Sequence, residues 1–125
     1  MRRAARVDAN HKQIVKGLRS SGCTVQDLSA VGKGCPDILV GRNGLNVLME
    51  IKTSKGKLSD VQKSWHESWR GLVATVTSYD QAVEILNEIL KIKDIINAKQ
   101  IRQTQKRGNK NPENNNDDTR AMGPN

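Results

Sequence analysis

Asn43-Gly44, set between the apolar runs Ile38-Leu39-Val40 and Leu45 to Ile51, constrains this chain more than any other feature. Asn-Gly is the favoured pair for a two-residue turn between antiparallel strands, because both residues tolerate positive φ. Read as such a turn, it sets Arg42 opposite Leu45, and each step back along one strand matches a step forward along the other. Asp37 then falls opposite Glu50. A four-residue loop centred on the same pair gives the same register, whereas a three-residue loop does not. The paired strands are expected over residues 36–40 and 45–51, with Pro36 in the first position, where its missing N–H does least harm.

The remaining elements follow from caps and periodicity. A first helix is expected to start near Asp8 or Asn10, both good caps, and to end before Gly22. Its apolar stripe is Val7, His11, Ile14, Val15 and Leu18, with Lys12, Lys16 and Arg19 facing elsewhere. Residues 24–28 form a weak strand, and Ser29 to Cys35 a flexible loop with two glycines. Ser59-Asp60-Val61-Gln62 has the capping-box form and opens a second helix, stopped by Gly71. Val61, Trp65 and Trp69 recur there at i, i+4 spacing and read as core. Residues 72–76 form a strand. Ser78-Tyr79-Asp80-Gln81 is a second capping box, opening a helix that buries Ala82, Ile85, Leu86, Ile89, Leu90 and Ile96. The order predicts an α/β chain of the α+β type: a mixed sheet with helices on both faces. Apolar residues run from Val7 to Ile96 and almost vanish afterwards. A folded domain is therefore expected over residues 1–96, and a basic, polar, disordered tail over residues 97–125.

The hairpin brings chemistry together. Residues opposite one another on paired strands have Cβ atoms about 4.5–5.5 Å apart, and side chains alternate, so Asp37, Glu50 and Lys52 share one face. Two carboxylates placed this way repel, and burial makes the repulsion worse. Lys52 offsets part of it, and a divalent cation would offset more. One or two carboxylates, with water and substrate phosphate completing the shell, is how Mg²⁺ is normally held. These are the parts a phosphodiester hydrolase needs: cation, activated water and an ammonium near the developing charge. The plainer reading of Glu50 and Lys52 is a surface ion pair of little energetic weight.

The net charge of +8 favours nucleic acid as partner. No apolar run reaches the ~20 residues of a membrane span, and no signal-peptide pattern opens the chain, so a cytoplasmic protein is expected. Cys23 and Cys35 are too few for a disulfide framework and, with His11 and His66, make no zinc spacing. They are expected as reduced thiols. No nucleotide-binding fingerprint is complete, so no nucleotide cofactor is expected. With Trp65, Trp69 and Tyr79 and no Phe, nucleic acid is expected to be gripped through phosphates and shape.

Gly34-Cys35-Pro36-Asp37-Ile38-Leu39-Val40, then Glu50-Ile51-Lys52, then Gln62 and Trp65-His66 resemble the PD-(D/E)xK nuclease superfamily. More narrowly, they resemble its VRR-NUC group, including the small stand-alone viral members, whose place of action would be the host cytoplasm. The resemblance covers about residues 1–90. It implies a restriction-endonuclease-like αβββαβα core and a DNA endonuclease dependent on Mg²⁺, with Mn²⁺ as substitute. It also implies activity on branched DNA such as four-way junctions, in replication, recombination or repair, as a homodimer. Asp37 and Glu50 would hold metal, with Ile51 counted in the same set, and Lys52 would serve the nucleophile. Gln62 would be the family's glutamine in the following helix, or simply half of the capping box. Asp8 is the one acid able to fill the family's acidic place in the first helix, or is an N-cap.

Other residues carry weaker readings. Lys33, between two glycines, is a candidate phosphate contact or part of a plain loop. Lys55 and Lys57 are candidate DNA contacts or solvated charges. His66 reads as a surface or core-edge residue before a general base. Arg102, Lys106, Arg107 and Lys110 would add non-specific DNA affinity. Two other functions remain: a DNA-binding module that does not cut, and a sequence-specific restriction-type nuclease, for which the chain is short.

Overall fold

A computed structural model describes residues 2–110, with side chains over residues 8–106. The order is α1 (Arg2–Ser20), β1 (Thr24–Asp27), β2 (Ile38–Arg42), β3 (Leu45–Ile51), α2 (Asp60–Ser68), β4 (Val73–Val76) and α3 (Tyr79–Lys110). This is the expected αβββαβα sequence of elements. The sheet runs β1-β2-β3-β4, antiparallel for the first two pairings and parallel for the last. α2 makes the crossover that a parallel pair requires.

The hairpin turns where its sequence indicates. Asn43 and Gly44 have φ of 50° and 78°, the double positive φ of a type I′ turn. Arg42 pairs with Leu45 and Ile38 with Met49. β2 occupies residues 38–42 rather than 36–40: the tight turn keeps Gly41 and Arg42 in the ladder, and Pro36 has no N–H with which to extend it.

β3 is buried on both sides: Val47, Met49 and Ile51 on one face, Leu48 and Glu50 on the other. Ile38 and Val40 share the face of Met49 and Val47 by register, and all four are fully buried. Ile14 and Leu18 of α1 and Ala82 and Leu86 of α3 add the helical part of the core. Burying each such side chain contributes about 1.5–3 kcal/mol.

Three expectations change. α1 begins at Arg2, so Asp8 and Asn10 lie inside the helix and neither is its cap. Trp65 and Trp69 are not buried core: Trp65 is half-buried on α2 and Trp69, its C-cap, is exposed. Their spacing shows that they share a helix face but not what covers it. α3 continues past residue 97 to Lys110, with Ile96 exposed. No proline and no glycine before Gly108 interrupts it, and a helix already nucleated gains one hydrogen bond per added residue. Residues 111–125 of the expected tail lie outside the described residues.

The chain divides into two compact units, one through Glu88 and one from Ile89. The first holds the sheet, α1, α2 and the start of α3. In the second, the described residues are helical and expose Ile92, Ile95, Ile96 and Ile101. Among the described residues, no helix is long and apolar enough to cross a membrane.

Candidate active site

Asp37 sits one residue before β2, and the Ile38–Met49 pairing carried one step further sets it opposite Glu50. Its position is fixed from both sides. Its carbonyl accepts from the Leu28 N–H at 2.7 Å, and its Oδ2 accepts from the Ile51 N–H, also at 2.7 Å. The carboxylate thus serves as a ladder acceptor where the β2 main chain has ended.

Glu50 is 2% exposed, the one charged side chain buried among the described residues. Its Oε2 accepts from Gln62 Nε2 at 3.2 Å and lies 3.7 Å from Lys52 Nζ, while its Oε1 is buried with no donor. Burial, the neighbouring Asp37 carboxyl within hydrogen-bond reach, and the Asp37 charge push the Glu50 carboxyl up to about 8. Lys52 pulls the other way without cancelling them.

Lys52 is held at its backbone. Its N–H donates to the Val76 carbonyl at 2.9 Å, continuing the β3–β4 ladder, and its carbonyl accepts from Asn10 Nδ2 at 3.0 Å. Asn10 also donates to the Thr77 carbonyl at 3.3 Å, tying α1 to the ends of two strands. The sequence reading missed this role, because its partners lie 42 and 67 residues away.

Gln62 closes the capping box and also touches Glu50. Its Oε1 accepts from the Ser59 N–H at 2.9 Å and its N–H donates to Ser59 Oγ at 3.2 Å, completing the capping box, while its other end reaches Glu50. The second capping box is only half formed. Ser78 Oγ accepts from the Gln81 N–H, but the Gln81 side chain accepts from Thr77 instead of closing on Ser78.

His66 lies beside this group with a buried Nε2 that has no partner. Burial first, and the Lys52 charge second, hold its imidazole below the ordinary range and so neutral at pH 7. Cys35 is also close: burial and the Glu50 and Asp37 charges push its thiol up, so it stays protonated.

These groups open into a cleft of about 390 Å³. One wall is Asp37, Glu50, Ile51, Lys52 and Gln62; the other is Asp8, His11, Lys12, Asp27 and Ser29. Asp27 is set by its turn, its Oδ1 accepting from the Ser29 hydroxyl at 2.6 Å and N–H at 2.8 Å, bonds that hold its carboxyl below the usual range. Ile51 has a buried side chain, so only its main chain can act as a ligand. Lys33 faces a different hollow, and Lys55 and Lys57 are exposed outside the cleft. Among the described residues, no three His, Cys, Asp or Glu side chains gather as a metal cluster. A cation in this cleft would meet the adjacent Asp37 and Glu50 carboxyls. The buried, donorless Oε1 of Glu50 fits that role, as do the all-oxygen donors, which suit Mg²⁺.

A second groove, of about 410 Å³, shares His11, Lys12 and Asp27 with the cleft and continues past Lys16 and Arg19. The i, i+4, i+7 spacing of the three basic residues is visible in the sequence. That β1 folds alongside them is not.

No family model matches the sequence, and no curated protein matches it. Among solved structures, one described as a VRR_NUC domain matches at 26% identity and a TM-score of 0.55. The match covers 65% of this chain and 94% of that one. The likeness spans nearly the whole of that domain, and the order of elements here is αβββαβα. The likeness supports membership of the VRR-NUC group of the PD-(D/E)xK nucleases.

Proposed function

We propose that this chain is a divalent-metal-dependent DNA endonuclease that hydrolyses phosphodiester bonds, preferring branched DNA and acting as a homodimer. The observation that carries the reading is the Asp37–Glu50 pair, two carboxyls at the floor of a cleft with one buried oxygen lacking any donor. A module that only binds a polyanion gains nothing from carboxyls held there.

Asp37 and Glu50 would hold Mg²⁺, or Mn²⁺ in its place, with the Ile51 carbonyl and Asp8 as further oxygen donors around the same cleft. When bound, the ion supplies positive charge against the phosphate and lowers the pKa of a bound water. Lys52, with its backbone pinned at both ends, keeps its ammonium over that cleft to hold the attacking water or offset charge developing on phosphate oxygens. Gln62 would steady the Glu50 carboxylate through its Oε2, leaving the buried, donorless Oε1 for the ion. Symmetric cutting of a junction by one compact site per chain calls for two copies. The nuclease domain is assigned to residues 1–96; the basic residues beyond, with Lys33, Lys55 and Lys57, add phosphate contacts.

The test is cleavage of labelled four-way junction, duplex and single-stranded DNA with Mg²⁺, Mn²⁺ or EDTA, using the wild type and Asp37→Asn. Metal-dependent cutting, fastest on the junction and lost in the variant, is expected. DNA that is bound but never cut under any metal would sink the nuclease reading.

Two further outcomes follow from the geometry. Gln62→Glu keeps an acceptor for the Ser59 N–H but loses the donor to Glu50 and adds a third carboxylate there. Its melting temperature should stay within a few degrees of wild type while cleavage falls about 10–100-fold; Gln62→Ala should lower both. The Lys12–Lys16–Arg19 groove is assigned to DNA phosphates leaving the cleft. Lys12→Gln with Lys16→Gln should therefore flatten the plot of log affinity against log salt by nearly two units, at about 0.9 per contact. An unchanged slope would remove the groove from the DNA path.

A further inference from the structure

Of the chain's two tryptophans, Trp65 lies on α2, half-buried, and Trp69 caps its C-terminal end, exposed. Trp69 is 46% exposed and Val61 58%, so part of this apolar face meets water. The indoles stack on one another, with ring centroids 4.8 Å apart and planes 16° from parallel. Such a pair is already ordered, so little freedom is lost when another flat ring is added to it.

An open hollow of about 530 Å³ adjoins the pair, lined by Lys33, Asp60, Val61, Ser64, Trp65 and Ser68. Its chemistry is an aromatic surface, an aliphatic patch, two hydroxyls, one carboxylate and one lysine. Lys33 sits at φ 56° between Gly32 and Gly34, each also at positive φ. A Cβ on Gly34 would come 2.7 Å from the Val61 carbonyl oxygen, so the loop rests directly on α2 and brings the lysine to the hollow.

The hollow adjoins the active site through one residue. Trp65 meets His66 edge-on, with centroids 6.2 Å apart at 73°, and His66 stands beside Lys52. Gln62, one turn earlier, touches Glu50.

We infer that the Trp65–Trp69 pair is a stacking platform for an unpaired nucleobase of the substrate, with Lys33 on its phosphate, next to the bond to be cut. The inference rests on the nuclease reading and extends it to the substrate's shape. In a duplex, both faces of an interior base are covered by its neighbours; only an unpaired or splayed base offers a face to an indole. The platform therefore favours DNA with unpaired nucleotides beside the cut, such as a flap, a fork or an opened junction. Lys33, at the edge of the hollow, supplies a positive group for the phosphate of a base held there.

With both tryptophans on the platform, the chain's tryptophan emission reports on it alone. The full chain is titrated in EDTA with a fully paired duplex and with the same duplex carrying a short single-stranded flap. Anisotropy of dye-labelled DNA follows binding, and unlabelled DNA is used for emission. Both DNAs should bind, and the flap alone should quench more than about half of the emission. Trp69→Ala, which alters an exposed residue, should weaken flap binding about tenfold and duplex binding less than twofold. Lys33→Gln should weaken flap binding and flatten its salt dependence by about one unit. Equal emission responses to the two DNAs, or flap binding with no response, would overturn the platform and leave the nuclease reading intact. Failure to bind any DNA would overturn both. Dimers in sedimentation, with an emission that changes on dilution, would mean that a second copy covers the pair, which would also overturn it.

Discussion

Glu50→Gln is expected to cut DNA cleavage by at least about 10³-fold and, in the same protein, to raise the stability of the metal-free fold at pH 8. Both effects have one cause. The Glu50 carboxyl is 2% exposed, beside a second carboxyl, and is pushed from an ordinary 4.5 up to about 8. Between those two values the folded chain holds a proton that the unfolded chain has released. Metal-free stability from this group is therefore fully present below about pH 4.5 and is lost as pH rises through about 8. Glutamine keeps the shape and the partner at Oε2 without the charge, so it escapes that loss and should gain about 1–3 kcal/mol at pH 8. For a domain of this size that is on the order of 4–20 °C in melting temperature.

Mg²⁺ should distinguish the two proteins. On the proposed reading it would bind the ionised pair in the wild type and should raise stability at pH 8 by about 2.7 kcal/mol at a hundredfold excess over Kd. The Glu50→Gln variant should not respond. Melting curves at pH 6 and 8, with EDTA and with Mg²⁺, decide the matter. If the variant melts lower than metal-free wild type at pH 8, the carboxylate pair is not the strained feature described here.

Lys52→Met should separate holding the cation from using it. The ammonium lies 3.7 Å from Glu50 Oε2, close enough to repel a dication on the same carboxylates. Removing it should leave Mn²⁺ affinity unchanged or tighter, while single-turnover cleavage falls about 10²–10⁴-fold. Asp37→Asn should lose both. Titration calorimetry alongside cleavage rates distinguishes the two. If Lys52→Met loses Mn²⁺ binding as Asp37→Asn does, Lys52 serves the metal site's structure instead of the reaction.

The parts of this molecule legible beforehand are those written in short-range interactions. Asn43-Gly44 specifies its turn through two residues' backbone preferences, and Ser59–Gln62 closes a cap across three positions. The side-chain alternation of strands then carries the hairpin's register outward to Asp37 and Glu50. The same local logic misplaced the start of α1, because a good cap residue indicates where a helix can begin without requiring it to. It also put the tryptophans in the core, since periodicity identifies a face and not its neighbour.

What the sequence by itself determined is which residues share a strand face or a helix stripe, because turn and cap preferences and backbone periodicity act within a few residues. Only the tertiary structure decided that Glu50 is dry, that Asn10 clamps the end of β3, that β1 turns a basic stripe into a groove, and that Trp69 is left exposed at the end of α2. Each depends on segments tens of residues apart coming together. Burial, which sets both the Glu50 titration and the exposure of the tryptophans, belongs to the packed chain as a whole and to no stretch of it.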